Sequence, residues 1–313
     1  MAGYGIELHW HRAQPLAGIT ERLAFIAAAG FTHTEIPVGE LDVVINGKLH
    51  PMRLAALQEA IKDSPILFTV HGTKIASSRG GNLMDVSDPL QLQTVMADID
   101  FASAIGAEVV VYHAGTMRSP GQSPVAVRQA MEHERKMLRI VGDYAAERGV
   151  SIAVENRDPV SRYLDRHVYA LRLDRLAEQI EAVDHPHVSI CFDTGHAFLS
   201  ATYLEYDYLE GVRRIAPLTT HIHLSDNFGQ PCLDQHADAG ENLAQGLGDL
   251  HLPPGWGAVP FDEIAKVPFP RLPIAIVETR ESFLEHASEI AASARALTSS
   301  FRSVARNQPN DRR

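Results

Sequence analysis

The chain has 313 residues, 45% of them hydrophobic and 21% charged, which is the balance of a soluble globular protein. Its 28 Lys and Arg stand against 39 Asp and Glu, and the resulting formal charge of -11 repels a polyphosphate backbone, so a nucleic-acid partner would need a basic patch working against the global field. Cys191 and Cys232 make no disulfide framework. With no basic leader and no apolar run of about 18 residues, a cytoplasmic protein without a membrane segment is expected.

Short apolar strands alternate with segments of helical period. YGIELHW, from Tyr4, predicts the first strand, and AGITERLAFIAAAG the helix behind it, with Leu23, Ile26 and Ala27 on one face and Gly30 as its stop. THTEIPV is the second strand, and LHPMRLAALQEAIKD the second helix, entered through Pro51. ILFTVHG is the third strand, followed by a loop and a helix from about Pro89 to Gly106. AEVVVYHAG is an unbroken apolar run that suits a parallel strand covered on both faces; a turn-rich loop and a helix from about Val125 to Arg148 follow it. GVSIAVENR, HVSICFDTGHA, TTHIHLSDN and RLPIAIVETR supply strands five to eight, and SFLEHASEIAASARAL the closing helix.

Eight such units in one chain point to an α/β fold, a (β/α)8 TIM barrel. An open doubly wound sheet would carry a glycine-rich phosphate turn after its first strand, and HWHRAQPLAG is not one. One domain over residues 1–300 accommodates every unit, and residues 301–313, which end in RNQPNDRR, read as a polar C-terminal tail.

In a barrel the carboxyl ends of the strands open on one face, where barrel active sites are built. His9 and His11 follow strand one, His71 ends strand three, His113 strand four, Glu155 strand five, Asp193 and His196 strand six, His223 and Asp226 strand seven, and Glu278 strand eight. A lone His there is ordinarily a hydrogen-bonded structural residue, and DTGHA could simply cap the helix after it. Recurrence over six consecutive strands is what this bland reading leaves unexplained. Such groups repel one another when charged and lack partners when neutral, unless a cation sits among them. A set of His, Asp and Glu without Cys suits Zn2+, Mn2+ or Fe2+ better than Ca2+.

GDLHLPPGWG adds Asp249 and His251, two residues apart, in a loop stiffened by Pro253 and Pro254. Either it is a rigid polar surface turn, or it carries part of the metal site, with Gly255 and Gly257 letting the backbone pass close to a substrate.

Jointly, VYHAG, VENR, CFDTGHA, HIHLSDN, HLPPGWG and VETR resemble the xylose-isomerase-like TIM-barrel superfamily, which holds sugar phosphate isomerases and epimerases and the endonuclease IV proteins. The resemblance spans nearly the whole chain and implies a divalent metal, Zn2+ or Mn2+, at one to three ions per chain. The ketose 3-epimerase pattern implies Glu155, Asp193, His223 and Glu278 as the ligands of one metal, with His196 on the substrate. The endonuclease IV pattern implies a larger set around three zinc ions, adding His71, His113, His196, Asp249 and His251.

The expected function is a divalent-metal-dependent isomerase or epimerase acting on a small sugar, sugar phosphate or related polyhydroxylated carbonyl compound through an enediolate. Glu155, Glu278 and His196 would carry the catalysis, and Arg157, His196, Lys74, His9 and Trp256 would contact the substrate. The alternatives are a multi-zinc phosphodiesterase of the endonuclease IV type and a non-catalytic metal-binding barrel. The loops around the site offer only scattered Lys74, Arg79, Arg118, Arg157 and Arg162. The expected partner is therefore a small molecule, with no nucleic acid and no membrane, and a homo-oligomer is left open.

Overall fold

A computed structural model describes residues 3–73, 81–85, 87–118, 123–160, 166–233 and 239–306. Eight parallel strands close into a barrel in chain order: β1 (Tyr4–Glu7), β2 (His33–Pro37), β3 (Leu67–His71), β4 (Val109–His113), β5 (Ser151–Glu155), β6 (Val188–Asp193), β7 (Thr219–Leu224) and β8 (Ile274–Val277). Each lies inside the apolar run that predicted it. The crossovers are α1 (Ile19–Ala28), α2 (Pro51–Ile61), α3 (Leu90–Ala104), α4 (Pro124–Ala146), α5 (Leu173–Val183), then the pair α6 (Thr194–Tyr203) and α7 (Tyr208–Ile215), with α8 (Ala287–Arg306) last. Two short antiparallel ribbons, Val44–Ile45 with Lys48–Leu49 and Met117–Arg118 with Arg166–His167, decorate the loops. No described helix is long and apolar enough to cross a membrane.

Local chemistry sets the helix starts. Pro124 follows the N-cap Ser123, whose side chain accepts from Ala126 N, and the Asp207 side chain accepts from Glu210 N at the head of α7. Between strands and helices lies one large apolar layer that includes Ile6, Ile36, Phe101, Leu138, Ile152, Phe192 and Ile222. Inside the barrel a smaller cluster of Val109, Val111, Ala153, Cys191, Ile274 and Ile276 fills one side. Polar Glu35, Thr69, His221 and His223, all buried, occupy inward positions of β2, β3 and β7. Side chains two apart on a strand share a face, so His221 and His223 both point inward while Ile222 and Leu224 meet the helices.

The end of the chain departs from the sequence reading. A 3-10 turn over Glu281–His286 precedes α8, and α8 runs to Arg306, past residue 301, where the polar tail is expected to begin. Phe301 is fully buried and packs edge-on against Phe269 at 5.1 Å. Polar composition concealed an apolar anchor there. Phe301→Ala should cost about 3–5 kcal/mol in denaturant unfolding, and a loss below about 1 kcal/mol would return the domain boundary to residue 300.

Candidate metal centre

Strand register converts the sequence pattern into a cluster. His113 stands opposite Glu155, and Asp193 opposite His223, across neighbouring strands. Glu155, Asp193, His223 and Glu278 are buried and offer ligand atoms that all lie within 4.8 Å of one another. His223 Nδ1 is 3.4 Å from Glu155 Oε1, 3.3 Å from Glu278 Oε1 and 3.9 Å from Asp193 Oδ2. A second group joins His71 and His113 to Glu155, and a third joins His196, Asp249 and His251. His113 Nε2 lies 2.8 Å from Glu155 Oε2, and His71 Nε2 lies 3.7 Å from it. Asp249 Oδ2 meets His251 Nε2 at 2.6 Å and His196 Nε2 at 3.3 Å.

The His71 tautomer is set by a carbonyl oxygen, which can only accept: His71 Nδ1 donates to the Gly72 carbonyl at 3.0 Å, and its Nε2 is left with a lone pair facing the cluster. His196 donates from both nitrogens, from Nδ1 to the Asn156 carbonyl at 3.2 Å and from Nε2 to Asp249 Oδ2 at 3.3 Å, and Asp193 and Asp249 raise it well above its ordinary value against burial. Asp193 divides its oxygens. Oδ1 caps α6 by accepting from His196 N at 2.7 Å and also accepts from Ser225 Oγ at 3.1 Å, while Oδ2 has no hydrogen bond. The capping role and the cluster role are therefore both met by one carboxylate.

Electrostatics mark the same place. Burial opposes ionisation of Glu155, but His113, His196 and His223 hold it well below the usual carboxylate range. Burial pushes Asp193 up to about 7, and Glu278, Asp249 and Glu155 add to the rise against the pull of His196. Burial disfavours the charged imidazole of His251, yet Asp249 raises it to about 10. His223 is raised well above its ordinary value against burial by Cys191, Glu278 and Glu35. Burial, with Arg157 next, lowers His113.

These residues fit a divalent cation. Both oxygens of Glu155, Oδ2 of Asp193, Nδ1 of His223 and Oδ1 of Asp249 are buried without a hydrogen-bond partner. Orphaned buried acceptors of this kind are costly, and a mixed set of nitrogen and oxygen donors is what Zn2+ or Mn2+ accepts.

The loop that carries Asp249 and His251 is held by a residue the sequence reading had merely counted among the strand ends. Asp226 points away from the cluster: its Oδ2 accepts from Gly255 N at 2.9 Å and Gly257 N at 2.8 Å, and its Oδ1 from Val259 N at 3.0 Å and Asn227 N at 2.9 Å. A backbone bridge between Asp226 and Leu252 completes the clamp. Gly257 thus makes room for a carboxylate of the protein, in the place where the sequence suggested a substrate. A Cβ there would run into Asp226 and lie 2.5 Å from the Asn227 carbonyl. His251 takes φ 49°, a left-handed conformation that costs a non-glycine residue about 1–3 kcal/mol. It is maintained because the His251 carbonyl accepts from Thr279 Oγ1 at 3.0 Å and Arg280 N at 3.2 Å. Gly257→Ala should therefore lower metal content and cost about 1–3 kcal/mol, whereas wild-type occupancy by native mass spectrometry would release the loop from this role.

The expected substrate contacts are dispersed. Arg157 is buried beside the cluster, and its charge reaches His113. His9 is half-buried just beyond β1, with Nε2 lacking a hydrogen bond and burial lowering its pKa. Trp256 is 37% exposed and packs on the rings of Phe283 at 5.3 Å and His286 at 5.1 Å. His11 is exposed and pairs with Glu281 at 2.9 Å, outside the cluster. Lys74 lies outside the described residues. Glu35, which the sequence reading passed over, contacts His221 and His223 from beneath the site.

A closed parallel barrel with carboxylates and imidazoles gathered at the carboxyl ends of its strands defines a (β/α)8 protein with a metal-type centre at its mouth. The chain belongs to the xylose isomerase-like TIM barrel family, whose sequence model matches residues 23–267. No curated protein sequence matches it. Among solved structures it is similar to a D-tagatose 3-epimerase-like protein, with 18% identity, TM-score 0.66 and coverage of 97% of this chain and 98% of that one. A 3-keto-D-glucoside 4-epimerase from E. coli aligns with 17% identity and TM-score 0.62 over 95% of this chain and 100% of its own. A D-psicose 3-epimerase aligns with 15% identity and TM-score 0.64 over 97% and 99%. At such identities the likeness is one of fold.

Proposed function

We propose that this chain is a divalent-metal-dependent isomerase or epimerase acting on a small polyhydroxylated carbonyl compound. The observation that carries the reading is the pair Glu155 and Glu278, two buried carboxylates that both approach His223 Nδ1, at 3.4 and 3.3 Å. Both are held below the ordinary carboxylate range against burial, Glu155 chiefly by His113 and Glu278 chiefly by His223. Each is thus ionised; one would remove a carbon-bound proton, and the other, after taking a proton from solvent, would return one on the opposite face. Glu155, Asp193, His223 and Glu278 would hold one Zn2+ or Mn2+, which supplies positive charge to adjacent substrate oxygens and acidifies the carbon between them. His196 and Arg157 would bind the hydroxyls, His9 and Trp256 the outer part of the substrate, and Lys74 a distal hydroxyl or phosphate. The epimerase activities carried in the names of the three similar structures favour this chemistry. Two cysteines without a disulfide favour a reducing, cytoplasmic setting.

A second reading rests on a specific observation: the His71, His113 and Glu155 group shares Glu155 with the four-residue group, and His196 ties the third group to it at 3.2 Å from Glu155 Oε1. Up to three ions could be held, which suits a multi-zinc phosphodiesterase. One comparison separates the two. A panel of ketoses and ketose phosphates in deuterated water, set beside abasic-site duplex DNA at low salt, should give metal-dependent deuterium entry into one sugar carbon and no incision above background. Metal-dependent incision without exchange would replace the first reading by the second.

A further inference from the structure

Glu35 has no part in the chemistry just proposed, although it is 0% exposed inside the barrel. An apolar cluster fills one side of the same interior, and a fully buried carboxylate is kept there only when its charge is answered. Oε2 accepts from Thr69 Oγ1 at 2.9 Å and from His221 Nε2 at 2.8 Å; Oε1 lies 2.9 Å from His223 Nε2 as an ion-pair contact, without the angle of a hydrogen bond, and neither of these two atoms has another hydrogen-bond partner. The two imidazoles stand edge to face at 5.2 Å on successive inward positions of β7. Glu35 therefore sits at one edge of the His223 ring, while Glu155 and Glu278 sit at the other.

A ring with anions at both nitrogens can serve a cation only from the nitrogen whose proton has been placed elsewhere. We propose that Glu35 is a positioning residue for His223: its charge, 2.9 Å from Nε2, favours the ring proton on that nitrogen, leaves the Nδ1 lone pair for the side of Glu155, Asp193 and Glu278, and strengthens Nδ1 as a donor. Outer partners of this kind ordinarily change metal affinity by about 10- to 100-fold. His221 and Thr69 anchor the carboxylate from the other side, so the ring cannot recruit it at the expense of its aim.

The inference rests on a cation being held by Glu155, Asp193, His223 and Glu278, and its test separates the two claims. Chelator-treated full-length protein and its Glu35→Gln and Glu35→Asp variants are titrated with Co2+, with the affinity and the visible d–d spectrum recorded and circular dichroism used to check folding. Glu35→Gln should bind about 10- to 100-fold more weakly with a shifted spectrum, and Glu35→Asp should recover part of the loss. Co2+ uptake by the unaltered protein that Glu35→Gln matches in affinity and spectrum overturns the inference alone. No uptake by the unaltered protein removes the cation reading and the inference together. Should Glu35→Gln fail to fold, 15N spectra of histidine-labelled, Zn2+-loaded unaltered protein decide: His223 protonated on Nε2 supports the assignment, and His223 protonated on Nδ1 overturns it.

Discussion

Glu155→Gln and Glu278→Gln should each lower solvent-proton exchange by at least about 100- to 10,000-fold, the range a positioned acid or base contributes. The amide keeps the shape of the carboxylate but can neither take the proton nor match its charge toward a cation. Glu155 has the larger expected effect on metal content, because its Oε1 faces His196 and His223 while its Oε2 faces His113. Its loss should empty the four-residue group and the His71 and His113 group alike. Glu278→Gln should weaken the four-residue group and leave His71, His113 and Glu155 in place. Elemental analysis of both variants beside exchange rates in deuterated water checks this, and exchange within threefold of the parent in either variant would remove that carboxylate from the mechanism.

The second large effect is the pH dependence of stabilisation by metal. Asp193, raised by burial to about 7, ordinarily titrates near 3.8. For an acid raised on folding, the stability it contributes is complete below the unfolded value and is lost as pH rises toward the folded one. Metal-free protein should therefore be penalised progressively from about pH 4 to pH 7 through this group. A bound cation lifts the penalty, since it favours the ionised form. At pH 5.5, inside that window, a cation must displace the proton of Asp193, which is already lost at pH 8, whereas the protons of His223 and His251, both raised, must be displaced at either pH. The rise in Tm on adding Mn2+ should thus be large at pH 8 and small or absent at pH 5.5. At 100 times Kd the expected stabilisation is about 2.7 kcal/mol. An equal shift at both pH values would mean that metal binds without engaging these protons.

The barrel was legible because its strands are short, strongly apolar and bounded by helical segments, as in AEVVVYHAG and VSICFD. The cluster was legible because a barrel brings every strand end to one face, whatever the sequence distance between them. Direction was harder to read. Asp226 ends a strand like its neighbours but turns to the HLPPGWG backbone, a choice made by four amide groups that no spacing rule reveals. Glu35 lies in the middle of THTEIPV, away from the strand ends that mark the cluster. The alternation of the strand carried the clue, since His33 and Glu35 share the face opposite Thr34 and Ile36, and in a closed barrel one of those faces is the interior. RNQPNDRR concealed Phe301 for a simpler reason: a polar stretch says little about one anchoring ring just before it.

In the proposed function a divalent cation is held jointly by Glu155, Asp193, His223 and Glu278. A crystal structure of the full-length protein soaked in Mn2+, with anomalous scattering used to locate the ion, tests it directly. The expected result is a peak bonded to all four residues at distances near those of structural metal sites, about 2.0–2.3 Å. A fully occupied peak that leaves any of the four beyond bonding range, or the absence of a peak from this cluster at saturating Mn2+, would contradict it.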